Sequence, residues 1–139
     1  MSATVLYTPE VLALATGLAE FGWDETLPLK SEARSRSCGS TVTLALSLDG
    51  EGRVERIAIR SHACAIGQAA AAIFARAAAG RTLDEIAAAA ARIESWLAGE
   101  DTPPDWPGLC AIAAARDYPA RHGAIMLAWN AARQLLPSR

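Results

Sequence analysis

Cysteine is scarce in this 139-residue chain, with three in all, and an odd count gives no disulfide framework. In a reducing compartment such thiols are free, catalytic or metal-bound. Neither sign of charge predominates: 13 Lys and Arg stand against 15 Asp and Glu, with no block of like charge. That argues against a nucleic-acid groove or a patch for an anionic membrane. Long charge-free apolar runs are missing too. Arg76, Arg81 and Asp84 interrupt the longest one, so no bilayer span is expected. The first residues lack the basic start, apolar core and cleavage site of a signal peptide, and a soluble, cytoplasmic protein is the expectation. Also absent are a Gly-x-Ser-x-Gly turn, a phosphate-cradling glycine loop and a His-Glu-x-x-His helix, so no enzyme is expected.

What is present is a chain 52% hydrophobic, enough for one domain with a real core. Thr8-Pro9-Glu10 reads as a helix start, and Val11, Leu14, Leu18 and Phe21 follow at helical spacing up to Gly22. Residues 23–31 read as a loop, with Trp23 as an anchor. Residues 32–37 read as a polar edge strand. "TVTLALSL" at 41–48 alternates, placing Val42, Leu44, Leu46 and Leu48 on one face. "DGEG" at 49–52 is a hairpin turn, and 53–61 returns as a third strand. Residues 65–79 form an Ala-rich helix stopped by Gly80. Thr82 and Glu85 form a capping box for a helix running to about Gly99. A loop covers 99–108 and a short helix 108–115. Pro119 opens the last helix and Pro137 ends it. The order predicts an α+β fold, a small three-stranded antiparallel sheet packed against a layer of helices.

Cys64 sits at the mouth of the Ala-rich helix. Unpaired N–H groups and the positive end of a helix dipole favour a thiolate there. In an antiparallel meander Cys38 lies in the first turn and Cys64 follows the third strand, so both thiols are expected at one end of the sheet. Gly39 permits a tight turn beside Cys38. Two thiols converging at a helix N-terminus make a metal or sulfur site. Cys110, in "GLCAIAAA", reads as a core residue. Trp96, Trp106 and Trp129 read as packing residues, and His62 and His122 as surface or hydrogen-bonded side chains.

"SCGSTVTLALSLDGEGRVERIAIRSHACAIGQAAAAIFARAAAG" resembles the NifU-like scaffold proteins of iron–sulfur cluster assembly, including the SufU and IscU groups. Cys38-Gly39 resembles the family's Cys-Gly-Asp, and Cys64-Ala65-Ile66 its Cys-Ala/Ser-Ile-Ser. Tyr118, Pro119, Ala120, Arg121, Leu127 and Trp129 fit its Phe-Pro-Ala-Arg-x-x-Cys-Ala-x-Leu-x-Trp motif. "LYTPEVL" at 6–12 is similar to its opening helix. The resemblance implies one NifU N-terminal (IscU-like) scaffold domain over 1–139, with the SufE/NifU fold. It implies binding of iron, zinc or a nascent iron–sulfur cluster, sulfur delivered by a cysteine desulfurase, and acceptor proteins for the finished cluster. Cys38 and Cys64 then match two ligands, with Ser40 where the family has Asp and Ala124 where it has a third Cys. Arg121 matches the arginine before that Cys.

A helix turns about 100° per residue, so His122 would point away from the side Ala124 faces while Arg121 would line it; an irregular first turn would bring His122 in. His62, two before Cys64 on a strand, shares its parity and is another stand-in. Cys110 would serve if its loop folded over the site. Three functions remain open: a scaffold, monomeric or with a cluster bridged across a homodimer; a SufE-like carrier taking a persulfide on Cys64 with no metal; and a degenerate scaffold kept as an interaction module. No nucleic acid or membrane partner is implied.

Overall fold

The computed structural model describes residues 6–36 and 39–136. The first helix, α1, covers Pro9–Gly17 and tightens into a 3₁₀ turn at Leu18–Phe21. Thr8 caps it, its hydroxyl accepting from the Val11 N–H at 3.1 Å. Three strands follow, β1 (Leu29–Arg34), β2 (Thr41–Leu48) and β3 (Val54–His62), paired antiparallel in the order β1-β2-β3. Then come α2 (Ala65–Ala78), α3 (Leu83–Leu97), a 3₁₀ segment at Leu109–Asp117 and α4 (Pro119–Arg133).

β1 begins at Leu29, three residues before the expected start, and ends at Arg34, short of the expected Ser37, because Ser35 and Arg36 already belong to the turn. Pro28 lies just outside it, where a missing N–H costs the ladder nothing. Leu29, Ser31 and Ala33 then alternate inward while Lys30, Glu32 and Arg34 face solvent. Leu29 pairs with Leu46 and Arg34 with Thr41. Across the sheet, Val42, Leu44 and Leu46 are buried in the main core. Gly52, at φ 79, supplies the left-handed position of the β2–β3 hairpin, and the Asp49 carboxylate accepts from the Glu51 and Arg53 N–H groups.

The inner face of the sheet is covered by α4 across β1 and β2, and by α2 beside β3; α1 packs on α2 and α3 on α4. Alanine lets these helices approach closely. The centre is an aromatic cluster: Phe74 stacks on Trp106 at 5.8 Å, and Trp129 meets both edge-on at 5.4 Å. The expected capping box is present with both bonds, Glu85 N–H to Thr82 Oγ1 and Thr82 N–H to the Glu85 carboxylate. α4 ends at Arg133; Pro137 lies outside the described residues.

The outer face is not bare. Residues 22–28 strap across it, pressing Trp23 and Leu27 onto Ala45 and Ala58. Arg60 lies 4.3 Å over the Trp23 ring, Arg56 pairs with Asp24, and Lys30 with Glu25. Hydrogen bonds from Thr26 hold the Asp24 carboxyl below its ordinary range, and those from Trp23 and Lys30 do the same for Glu25. Trp23 is thus the loop anchor its position suggested.

Candidate functional site

β2 begins where β3 ends: Thr41 pairs with His62. The β1–β2 turn closes at the same end, its Ser35 N–H donating to the Ser40 carbonyl at 2.8 Å and the Gly39 N–H to the Ser35 carbonyl at 2.9 Å. Gly39 has φ 72, the left-handed backbone expected beside Cys38. Cys38 itself lies outside the described residues.

Two residues past His62, Cys64 is the N-cap of α2, half-buried against the main core. Its side chain makes no capping hydrogen bond, so the thiol is not committed to closing the helix. The backbone around it is held from inside the helix. The Gln68 N–H donates to the Cys64 carbonyl, and the Gln68 side-chain amide donates to the Ala63 carbonyl, each at 2.9 Å. Ala124 of α4 closes on the first turn of α2: a Cβ built on Gly67 would lie 3.4 Å from the Ala124 Cβ. The position matching the family's third cysteine therefore faces the helix that Cys64 caps, but carries a buried methyl. Ser40, at the Asp position, is buried at this end of the sheet. Arg121 lies half-buried in the first turn of α4, one turn before Ala124.

Three residues weighed as stand-in ligands are placed elsewhere. His122 turns toward α3, lining a groove with Glu94, Leu97 and Ala98, and its Nε2–H donates to the Arg116 carbonyl at 2.8 Å. α4 is regular from Pro119, so no first-turn irregularity brings the imidazole round. His62 is exposed on the outer face, whereas Cys64 packs on the core; strand parity ends with the strand. Cys110 is exposed, against the expectation of a core residue. Its segment winds as a 3₁₀ helix, and three residues per turn bury Leu109, Ile112 and Ala115 instead.

A closed zinc site takes four protein donors. Of the four family positions, Ala124 offers none and Ser40 only a neutral hydroxyl. Among the described residues no three His, Cys, Asp or Glu side chains gather into a ligand set. The described residues of this site do not fit a resident four-coordinate metal held by one chain. Among the described residues, no helix is long and apolar enough to cross a membrane.

The meander with its helical layer is an α+β domain of the NifU-like type. At 30% identity, a nitrogen-fixing NifU-like protein (N-terminal) from Brucella abortus superposes with TM-score 0.81, over 94% of this chain and 91% of that one. A putative iron–sulfur cluster assembly scaffold protein for the SUF system from Fervidobacterium islandicum AW-1, at 23% identity, shares the fold with TM-score 0.84 over 95% and 97% of the two chains. Residues 15–124 match the NifU-like N terminal domain, and the chain belongs to that family. No curated protein matches it.

Proposed function

We propose that this protein works in iron–sulfur cluster assembly as a scaffold-like protein. In this reading Cys64 receives sulfur from a cysteine desulfurase, and Cys38 and Cys64 hold iron or a nascent cluster as cargo for an acceptor protein. The observation that carries it is Cys64 itself: a partly buried cysteine at the N-cap of α2, free of any capping bond, at the end of the sheet where the β1–β2 turn closes. The sulfur step is a thiol–persulfide exchange. The Cys64 sulfur attacks the outer sulfur of the donor persulfide, the donor S–S bond breaks, and its electron pair leaves on the donor thiolate. A new S–S bond forms on Cys64 with no net oxidation. Clusters are usually held by four thiolates. Two copies of a two-thiol chain supply that number.

Ala124 favours a second reading. With a methyl at the third-cysteine position, a sulfur carrier that needs one thiol is chemically complete where a single-chain metal site is not. Anaerobic incubation with ferrous iron and sulfide separates the two. A coloured dimer retaining iron and sulfide, lost in Cys64→Ser, is the result expected of the scaffold. A colourless product with no retained metal removes the cargo role and leaves the carrier.

A further inference from the structure

The register sorts the basic side chains at the two ends of the sheet into two groups. Toward the hairpin end each is paired: Arg56 with Asp24, Lys30 with Glu25, and Arg53 with Glu85. Toward the Cys64 end they are not. Arg34 and His62 flank Thr41 in one cross-strand row, and Arg60 stands across Thr43 from Glu32 in the next. Arg36 follows at the turn. All four basic side chains are exposed, and among the described residues none makes an ion pair. Arg60 rests on the Trp23 ring, which orients the guanidinium; Glu25 lies close enough to feel its charge but is ion-paired with Lys30 instead. Glu32 is the acidic side chain within these rows, and Thr43 donates to it at 3.1 Å. A chain of net charge −2 thus gathers unpaired positive charge beside its sulfur-bearing end.

We infer that Arg34, Arg36, Arg60 and His62 form a docking surface for an acidic face of the enzyme that delivers sulfur to Cys64. The inference rests on the sulfur-receiving reading above. Charge of one sign around a reacting group steers encounter and fixes register, and unpaired arginines pay no penalty of broken internal ion pairs when a partner covers them. His62 is two residues from Cys64, so a partner seated on this surface reaches the thiol across the rim of the sheet.

The test compares the intact chain with Arg34→Glu plus Arg60→Glu and with Arg34→Lys plus Arg60→Lys. Sulfur transfer to Cys64 is followed with the cysteine desulfurase of the same organism and L-cysteine, and separately with inorganic polysulfide, which needs no docking. Charge reversal is expected to raise the KM for this chain about ten-fold with little change in kcat, while the lysine variant stays near the parent. Rising salt should weaken the parent's transfer and leave the reversed variant less affected. Polysulfide should load all three alike. If polysulfide loads Cys64 but reversal changes KM by less than about two-fold, or if the lysine variant fails equally, the docking surface is refuted and the sulfur-receiving reading survives. If Cys64 loads from neither donor, that reading falls and the docking surface with it.

Discussion

Gly67→Ala tests the close contact on which the candidate site is built. Inside a helix, alanine is worth roughly 0.5–1 kcal/mol over glycine, so on propensity alone the variant gains stability. The packing says otherwise. The new Cβ would lie 2.8 Å from the Ala63 Cβ, 3.4 Å from the Ala124 Cβ and 3.6 Å from the Ala124 carbonyl oxygen. The two Cβ atoms are short and rigidly held, so neither yields by rotating a side chain. Overpacking of this kind costs roughly 1–3 kcal/mol. The net expectation is a loss of about 0.5–2 kcal/mol, seen as a fall in Tm of roughly 2–8 °C. The nearest clash is with Ala63, so Ala63→Gly should partly rescue the variant. Alone, Ala63→Gly should cost about 0.4–1 kcal/mol through the unfolded chain. A double-mutant cycle by urea denaturation should return a favourable coupling of about 0.5–1 kcal/mol. Alkylation of the adjacent Cys64 should change in Gly67→Ala and return toward the parent rate in the double variant. A Gly67→Ala protein as stable as the parent, or additivity within about 0.3 kcal/mol, would refute the packing argument.

Two further outcomes follow from the hydrogen-bond record. Gln68→Ala removes the amide that holds the Ala63 carbonyl; a loss of about 1 kcal/mol and faster iodoacetamide modification of Cys64, read by peptide mapping, are expected. An unchanged rate would show that Gln68 does not position the thiol. The second concerns acid. Thr26 lowers Asp24, Trp23 and Lys30 lower Glu25, the Arg53 and Glu51 N–H groups lower Asp49, the Thr82 N–H lowers Glu85, and Arg133 lowers Glu94. Groups held low in the folded chain give stability that is fully present above the unfolded carboxylate range and is lost as pH falls through their folded values. Urea midpoints should therefore be flat near neutrality and decline below roughly pH 4; a flat profile through that range would contradict the assignments.

Much of the fold was legible because its signals are local. The alternation of 41–48, the hairpin glycine at 52, the Thr82–Glu85 box and Pro119 each specify their element within a few residues. Leu29–Ser31 escaped because three strand residues beside a proline look like loop until Leu46 is opposite. Cys110 escaped because a period of three and a period of 3.6 bury different residues of the same Ala-rich stretch. In the candidate site, Cys64 at the helix mouth was legible from the local sequence, and His122 turning away from the side of position 124 from helical arithmetic; the packing of Ala124 on the first turn of α2 was not. The arginines at the sheet end are distant in sequence, and only register assembles them.

Peptide-level mass spectrometry after incubation with a cysteine desulfurase and L-cysteine is the most direct measurement. One extra sulfur on the peptide holding Cys64, absent in Cys64→Ser and retained in Cys110→Ser, is the result this account requires. A chain that acquires no sulfur on Cys64 while the desulfurase turns over would contradict it.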